Sequence, residues 1–306
     1  MLIFVGVQAP FDSHPHTLNL TRHRLMKHLT LATLLTLLSL LPTTPLQAQS
    51  ASQHIVEVIS YNIRLSRGKD GNNSWQNRRH ASVEMVRREQ PTIMGCQEML
   101  PDQMEYLLDH LPEYDAIGVG RDDGKELGER MAIFYRTEDV ELIRWGTFWL
   151  SDTPDVPSRG WDAAYNRNCT WGWFRHRASG RYFGVLNTHL DHIGKVAQQE
   201  GLGLIATNLR RIFPDGVPVF LTGDFNVEPT DKALKSLEGI MKDGRIVAPE
   251  SDTRPTFNGW GNREEIVIDY VFLRNATAVS FRVLRDENYG APYISDHYPV
   301  ALCAEF

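Results

Sequence analysis

The stretch Val217 to Asn226 reads VPVFLTGDFN, and it decides how the rest of the chain is interpreted. Residues 219–221 form an apolar run that is typical of a buried strand, and Gly223 interrupts it just before two polar residues. The strand therefore delivers a carboxylate, Asp224, and an amide, Asn226, to its carboxyl end. In an extended chain, residues two apart point to the same face. Such a pair suits a hard metal ion or a phosphate ester, and turn formation is the simpler alternative.

Five other predicted strands end in the same kinds of side chain, so turn formation alone is a poor explanation. The polar residues at these ends are Asn62, Glu98, His189 with Asp191, Asp269, and Asp296 with His297. This set fits a hard divalent cation held by Glu98, Asn62 and one or more aspartates, with a histidine for proton transfer or charge stabilisation. Oxygen ligands without a cysteine cluster favour Mg²⁺, with Mn²⁺ as the alternative, over Zn²⁺.

The first 48 residues have the pattern of a secretory signal peptide. Basic residues precede an apolar run over 29–41, and the small-residue sequence at 46–48 follows. The run is short for a membrane-spanning helix, so we expect no stable membrane span, with an uncleaved anchor as the alternative. Met26 begins the basic segment and is an alternative translation start. We therefore expect a protein that is secreted or periplasmic, with a short tail at residues 49–53.

Charge and cysteine content limit the function classes. Without residues 1–48 the chain has 29 Lys and Arg against 37 Asp and Glu, a formal charge of −8. An acidic chain lacks the electrostatic footprint of a tight duplex-DNA binder, although a local basic patch is compatible with it. Cys96, Cys169 and Cys303 lie in apolar or strand-like contexts and read as buried free thiols, with one disulfide as the alternative.

Residues 54–306 read as a single domain, because no change in composition or linker divides them. The sequence predicts helices at 75–89, 102–111 and 195–213 and a shorter one at 231–237, between strand-like segments. Polar residues cluster where strands end, which indicates two sheets packed face to face, with helices outside and one rim carrying the chemistry. A doubly wound parallel sheet is the alternative, but a Gly-rich phosphate loop does not follow the first strand.

Six motifs carry a resemblance to a known family, and they occur in a fixed order over residues 55–306. They are SYNIR, GCQE, NTHLDH, LTGDFNVEP, IDYVF and SDHYPV. The ordered set resembles the endonuclease/exonuclease/phosphatase superfamily, whose members include deoxyribonuclease I. The resemblance implies an α/β (α+β) fold, a four-layered α/β sandwich of two packed mixed β-sheets flanked by helices, and metal-dependent cleavage of a phosphoester. The NTHLDH, GRDDG and FWLSDTP segments look like a secreted bacterial branch of that family.

The resemblance also implies roles for individual residues. Glu98 and Asn62 would lie at the metal, Asp224 would orient or deprotonate the attacking water, and Asn226 would steady the phosphoryl group. His297 would stabilise charge on a non-bridging oxygen. His189 would act as general acid or contact the phosphate.

Two aspartates complete the implied set. Asp269 and Asp296 would orient the others or bind a second metal ion. Carboxylates near His297 should raise its pKa, and Asp296 is the expected partner.

The expected activity is that of a Mg²⁺-dependent phosphoesterase that hydrolyses a phosphodiester or phosphomonoester. Arg130, Arg167 and Asp191 are candidates for substrate contact, with a structural role as the alternative for each. The partner is a phosphate-ester substrate, which is a small molecule, a lipid head group or a nucleic acid, and the sequence suggests no obligate protein partner. A nuclease acting on DNA or RNA is the alternative function, and a non-catalytic binding protein that keeps the fold is the second.

Overall fold

The computed structural model of the protein describes residues 55–263, 265–285 and 288–306. The predicted signal peptide and tail lie outside these residues. The described part of the chain contains thirteen strands. In chain order they are β1 (Ile55–Asn62), β2 (Ile93–Met99), β3 (Tyr114–Ile117), β4 (Arg130–Arg136), β5 (Val140–Trp149), β6 (Asn168–His176), β7 (Tyr182–His189), β8 (Val219–Asp224), β9 (Lys242–Asp243), β10 (Glu250–Ser251), β11 (Asp269–Arg274), β12 (Thr277–Val283) and β13 (Val300–Glu305).

Four α-helices and three 3₁₀ turns connect these strands. The helices are α1 (Trp75–Glu89), α2 (Pro101–His110), α3 (Lys195–Ile212) and α4 (Gly244–Val247), and the 3₁₀ turns are Gly71–Asn73, Lys232–Leu237 and Gly259–Gly261. The three longer predicted helices are present, with α1 at its predicted bounds, and the shorter one predicted at 231–237 is a 3₁₀ turn. Helix α1 ends because Gln90 adopts a left-handed conformation and Pro91 follows it. The segment from β9 to β10 carries short elements that the sequence did not predict. No described helix is long and apolar enough to span a membrane.

The strands form two mixed sheets. The first has seven strands in the order β10-β12-β13-β1-β2-β4-β3, and the second has six in the order β5-β6-β7-β8-β11-β9. In the first sheet β1 and β2 are parallel, and in the second β7 and β8 are parallel. The remaining pairs that flank these central strands are antiparallel. Each sheet thus has a central parallel pair whose carboxyl ends reach the same rim.

Three apolar clusters explain why the layers stack. In β1, Val56 and Val58 lie in the cluster between the sheets, while Ile59 and Tyr61 lie in a second cluster with α1 and α2. A third cluster joins the outer face of the second sheet to α3. Because central strands are buried on both faces, they read as continuous apolar runs. The predicted four-layered sandwich is confirmed.

The two sheets approach closely below the rim, at Gly95 in β2. A Cβ atom there would lie 2.0 Å from the Thr222 Oγ1 atom. Asn187 fills the space between the sheets: its Nδ2 donates to the Cys96 and Ala132 carbonyls, each at 2.8 Å, and its Oδ1 accepts from Thr222 Oγ1 at 3.0 Å. This buried polar contact fixes how the two rims face each other.

Candidate active site

The predicted strand ends converge on one rim of the sandwich. Asn62 and Asp224 end β1 and β8, and Asp269 begins β11, which returns antiparallel beside β8. A cavity of about 740 Å³ opens there. The predicted residues that line it are Glu98, Arg167, His189, Asp224, Asn226, Asp296 and His297. Asn62 and Asp269 are buried directly behind this lining. One site therefore collects residues from seven segments of the chain.

Asp224 lies at the centre of the polar network. Its Oδ2 accepts a hydrogen bond from Asn62 Nδ2 at 2.9 Å, and lies 3.4 Å from His189 Nε2 and 3.7 Å from His297 Nε2. Burial raises the pKa of Asp224 to about 7, and the nearby Asp269 carboxylate adds to that effect, against the imidazole of His297. A carboxylate with a pKa close to neutrality suits a general base.

Asn226 reaches the site through a turn and not through an extended strand. Its φ is 51°, and its backbone N–H donates to Asp224 Oδ1 at 2.9 Å. The extended conformation in which both side chains would share a strand face ends at Asp224, because Asp224 caps the turn that follows it. The Asn226 amide nonetheless enters the site. Its Nδ2 lies 3.0 Å from His189 Nε2 and donates to the Leu190 carbonyl at 3.1 Å.

His297 is held between two aspartates. Its Nδ1 lies 2.9 Å from Asp269 Oδ2. Burial opposes the charged ring, but the carboxylates of Asp269 and Asp224 outweigh it and raise the pKa of His297 to about 10. The sequence predicts a raised pKa for His297, as found, but it names Asp296 as the partner, whereas the ring contacts Asp269. Asp296 points instead toward Ser295 Oγ at 3.3 Å and Arg64 Nε at 3.7 Å.

The pKa of His189 is lowered, in contrast to that of His297. Burial lowers its pKa well below the usual value, and the positive charges of Arg167 and Arg121 lower it further. The ring is therefore neutral at neutral pH. A neutral imidazole can hydrogen-bond a phosphate oxygen, but it is a poor proton donor to a leaving group. Of the two roles predicted for His189, phosphate contact fits this environment better.

Glu98 and Asp296 are the carboxylates that suit a divalent cation. Glu98 adopts a φ of 59°, its Oε1 accepts from Asn62 Nδ2 at 3.2 Å, and its Oε2 accepts from the Leu65 backbone N–H at 3.1 Å. Burial raises the pKa of Asp296, the imidazole of His297 opposes this rise, and the carboxylate of Glu98 adds to it. Two carboxylates that repel each other at a cavity wall fit a hard cation.

Asn62 orients two carboxylates through its amide. Its Nδ2 donates to both Glu98 and Asp224, and its Oδ1 accepts from the Arg64 backbone N–H at 3.0 Å. An amide oxygen has two lone pairs, so one remains for a cation, and the role of Asn62 as a metal ligand stays a prediction.

A second group of potential ligands comprises Asp224, Asp269 and His297, whose ligand atoms lie within 4.8 Å of one another. Because the pKa of His297 is raised, a cation at this group would compete with a proton for the imidazole.

The three residues predicted to contact substrate have different positions. Arg167 lines the cavity. Asp191 is 1% exposed, and its oxygens accept from the Ala164, Ile193 and Gly194 backbone N–H groups. Arg130 lies outside the lining that the described residues form, and it contacts Glu126 and the Lys125 carbonyl. For Asp191 and Arg130 the structural alternative is the one that the contacts support, because neither faces the cavity.

Several cavity residues escaped the sequence analysis. Arg64 binds Asp70 through two hydrogen bonds of 3.0 and 3.1 Å. Arg121 binds Glu129 through two hydrogen bonds of 2.6 and 2.8 Å. The other cavity residues missed include Tyr165, Trp260 and Arg263, while His192, which also lines the cavity, belongs to the NTHLDH motif. The missed residues lie in loops and in a 3₁₀ turn, where periodicity gives no signal.

Comparisons with known proteins agree with this geometry. A sequence model of the Endonuclease/Exonuclease/phosphatase family matches residues 59–297. A solved structure of a mannosyl-6-phosphatase from Bacteroides thetaiotaomicron is 36% identical, with a TM-score of 0.78, and the match covers 82% of this chain and 100% of that one.

More distant proteins share the fold. Nocturnin from Rattus norvegicus is 24% identical over 287 residues, which cover 82% of this chain and 64% of the relative, so this chain spans less than two thirds of its length. TDP2 from D. rerio, complexed with a single-strand DNA product, is 18% identical with a TM-score of 0.67, and the match covers 82% of this chain and 99% of that one.

Proposed function

The chain belongs to the endonuclease/exonuclease/phosphatase family, and from that membership we propose that it is a Mg²⁺-dependent phosphoesterase acting on a small phosphorylated molecule. The observation that carries the proposal is the Asp224 carboxylate, buried between the imidazoles of His189 and His297 with its pKa raised to about 7. This arrangement combines a proton acceptor with donors for a phosphate in one cavity.

The proposed reaction is an in-line attack of water on phosphorus: a new P–O bond forms to the water oxygen as the P–O bond to the leaving alcohol breaks, and the leaving oxygen takes a proton from solvent. Asp224 accepts the proton of that water, because its pKa is close to the working pH. The Nε2–H of the protonated His297 donates to a non-bridging phosphate oxygen, and Asp269 holds the ring in that orientation. His189 contacts another phosphate oxygen, and Asn226 holds the His189 ring through its 3.0 Å contact with Nε2. These donors are fixed before the reaction, so they stabilise developing charge at little cost in reorganisation.

Metal dependence is part of the proposal. The family is metal-dependent, and the oxygen ligands at Glu98 and Asp296 favour Mg²⁺, with Mn²⁺ as the alternative. When bound, such a cation supplies positive charge to the phosphate oxygens. Asn62 keeps Glu98 in place through its 3.2 Å hydrogen bond.

The substrate proposed is a phosphomonoester of a small polar molecule, with sugar phosphates as the leading class. The similarity to a mannosyl-6-phosphatase supports it, since that match is 36% identical and covers the whole of the other chain. The formal charge of −8 without residues 1–48 disfavours long nucleic acids. The likeness to TDP2 keeps nuclease action as the alternative that the experiment must test.

We further propose that the protein is secreted or periplasmic, as a member of a secreted bacterial branch. The support is the basic, apolar and small-residue order of residues 1–48. N-terminal sequencing of the protein from fractionated cells tests this: a mature start near residue 49 outside the cytoplasm is expected, and an intact N-terminus in the cytoplasm would contradict it.

The experiment that tests the activity is a substrate screen with and without Mg²⁺. It includes sugar phosphates, nucleoside monophosphates, inositol phosphates, sphingomyelin, RNA and plasmid DNA. We expect phosphate release from small phosphomonoesters that stops on addition of EDTA. Cleavage of plasmid DNA or RNA in preference to these would establish the nuclease alternative. Failure on the entire panel would favour a non-catalytic binding protein.

A further inference from the structure

One wall of the cavity is built from five loop and strand-end residues that the proposed mechanism does not use. We define the arginine–tyrosine wall as Arg121, Glu129, Tyr165, Arg167 and His192, all of which line the cavity. The wall lies next to the proposed phosphate-binding residues, because Glu129 Oε2 lies 3.9 Å from His189 Nδ1. A molecule whose phosphate lies at Asp224 and His189 can therefore place its remaining atoms against this wall.

The wall is held rigidly by the rest of the chain. Asp191 accepts hydrogen bonds from the Ala164 backbone N–H at 3.0 Å and from Arg167 Nε at 3.3 Å. Trp149 Nε1 donates to the Arg121 carbonyl at 2.7 Å. Asn166 Nδ2 donates to the same Arg121 carbonyl at 3.4 Å, so the loop that carries Tyr165 is tied both to Asp191 and to Arg121. A binding surface fixed in advance loses little conformational entropy when a ligand arrives.

Charges on the arginine–tyrosine wall are matched in pairs. Arg121 binds Glu129 at 2.6 and 2.8 Å, and Arg167 pairs with Asp191 at 3.3 Å. A second phosphate would favour arginines without carboxylate partners. Paired charges instead present hydrogen-bond donors and acceptors with little net charge, and that combination suits hydroxyl groups.

Tyr165 supplies the aromatic surface of the wall. Its side chain is 54% exposed although it lines the cavity. The Arg121 Cζ atom lies 5.3 Å from its ring centroid, and the His192 ring lies 5.9 Å away at an interplanar angle of 16°. A tyrosine in such a place offers an apolar body with a polar tip. A pyranose ring has the matching character, because its C–H face packs on aromatic groups while its hydroxyls reach polar partners.

We infer that the arginine–tyrosine wall is the subsite for the sugar ring of a hexose phosphate. The inference rests on the proposed function and adds to it which residues select the substrate. Tyr165 packs on the ring, while Arg121, Glu129 and Arg167 bind its hydroxyls. A cavity of about 740 Å³ is within the range of small-molecule sites and accommodates a monosaccharide phosphate.

The test compares kcat/KM for mannose 6-phosphate with that for glycerol 3-phosphate, which has no ring. We expect Tyr165→Ala to lower the ratio of the two values about tenfold, which corresponds to the loss of one aromatic contact. Tyr165→Phe should keep most of the ratio, because it retains the ring. Tyr182→Ala is the matched control: Tyr182 is 49% exposed at the start of β7 and should leave the ratio unchanged.

The outcomes separate this inference from the proposed function. If wild-type protein hydrolyses both substrates and Tyr165→Ala leaves their ratio unchanged, the sugar subsite is wrong and the phosphoesterase proposal stands. If the wild-type protein hydrolyses glycerol 3-phosphate but not mannose 6-phosphate, the sugar subsite is likewise wrong and the phosphoesterase proposal stands. A preference for adenosine 5′-monophosphate over mannose 6-phosphate that Tyr165→Ala abolishes would assign the wall to a nucleobase and overturn the inference. No phosphate release from any substrate would overturn the proposed function itself.

Discussion

Asp224 and Asp269 lie directly opposite each other in the antiparallel pair formed by β8 and β11. Like charges in this position destabilise a sheet. His297 offsets the repulsion, because its Nδ1 lies 2.9 Å from Asp269 and its Nε2 lies 3.7 Å from Asp224. The carboxylates of Asp269 and Asp224 therefore explain why the pKa of His297 is raised despite burial. The same three residues place a charged donor beside the proposed base.

The first prediction concerns the pH dependence of stability. The pKa of His297 is about 10 in the folded protein, against an ordinary value of 6.5. A proton held more tightly in the folded state stabilises it fully below pH 6.5, and this stabilisation is lost as pH rises through 10. Urea unfolding without metal should therefore show a falling free energy of unfolding between pH 7.5 and 10.

His297→Gln should flatten that decline, because glutamine does not titrate. His110→Gln, at the exposed end of α2, serves as the control and should keep the wild-type slope. An unchanged slope in His297→Gln would show that another group binds the proton.

The second prediction concerns the polar contact between the sheets. Asn187→Ala removes the donor to Cys96 O and Ala132 O and the acceptor for Thr222, and leaves these buried groups without their partner. We expect the free energy of unfolding to fall by about 2–4 kcal/mol, measured by urea denaturation. Asn77→Ala, which removes one exposed hydrogen bond, should change it by less than about 0.5 kcal/mol. Similar losses in both variants would refute a structural role for the inter-sheet contact.

The third prediction concerns Asp191, which acts on the cavity through other residues. Asp191→Ala releases Arg167 and the loop at Ala164, so the arginine–tyrosine wall should lose its fixed shape. We expect KM for mannose 6-phosphate to rise about tenfold with a smaller change in kcat. Asp215→Ala, at an exposed turn before β8, is the control. A fall in kcat with KM unchanged would instead place Asp191 in the chemical step.

Strand ends and helices were readable from the sequence because they follow local rules. The helix at 75–89 was predicted at its bounds, and Asn62 and Asp224 were identified as the ends of buried strands. Burial on both faces gives such strands their continuous apolar runs. The ordered motifs then predicted the four-layered sandwich, which local patterns did not distinguish from a doubly wound parallel sheet.

Contacts between distant loops were not readable. The partner of His297 is Asp269, 28 residues away, and not its neighbour Asp296, because β11 and the segment before β13 meet only in the folded sheet arrangement. Asn226 leaves the strand conformation at a positive φ that spacing alone could not reveal. Arg121 and Tyr165 come together from two loops of irregular structure, where sequence periodicity carries no information.

Replacement of Asp224 by asparagine tests the central claim most directly. Asparagine keeps the shape of the side chain and removes the proton acceptor, so folding should be retained. The measurement is kcat for phosphate release from mannose 6-phosphate with saturating Mg²⁺. We predict a loss of about 10²–10⁴-fold, with an unchanged circular dichroism spectrum. Activity within a few-fold of wild type would contradict the account, because the reaction would then not depend on Asp224 as its base.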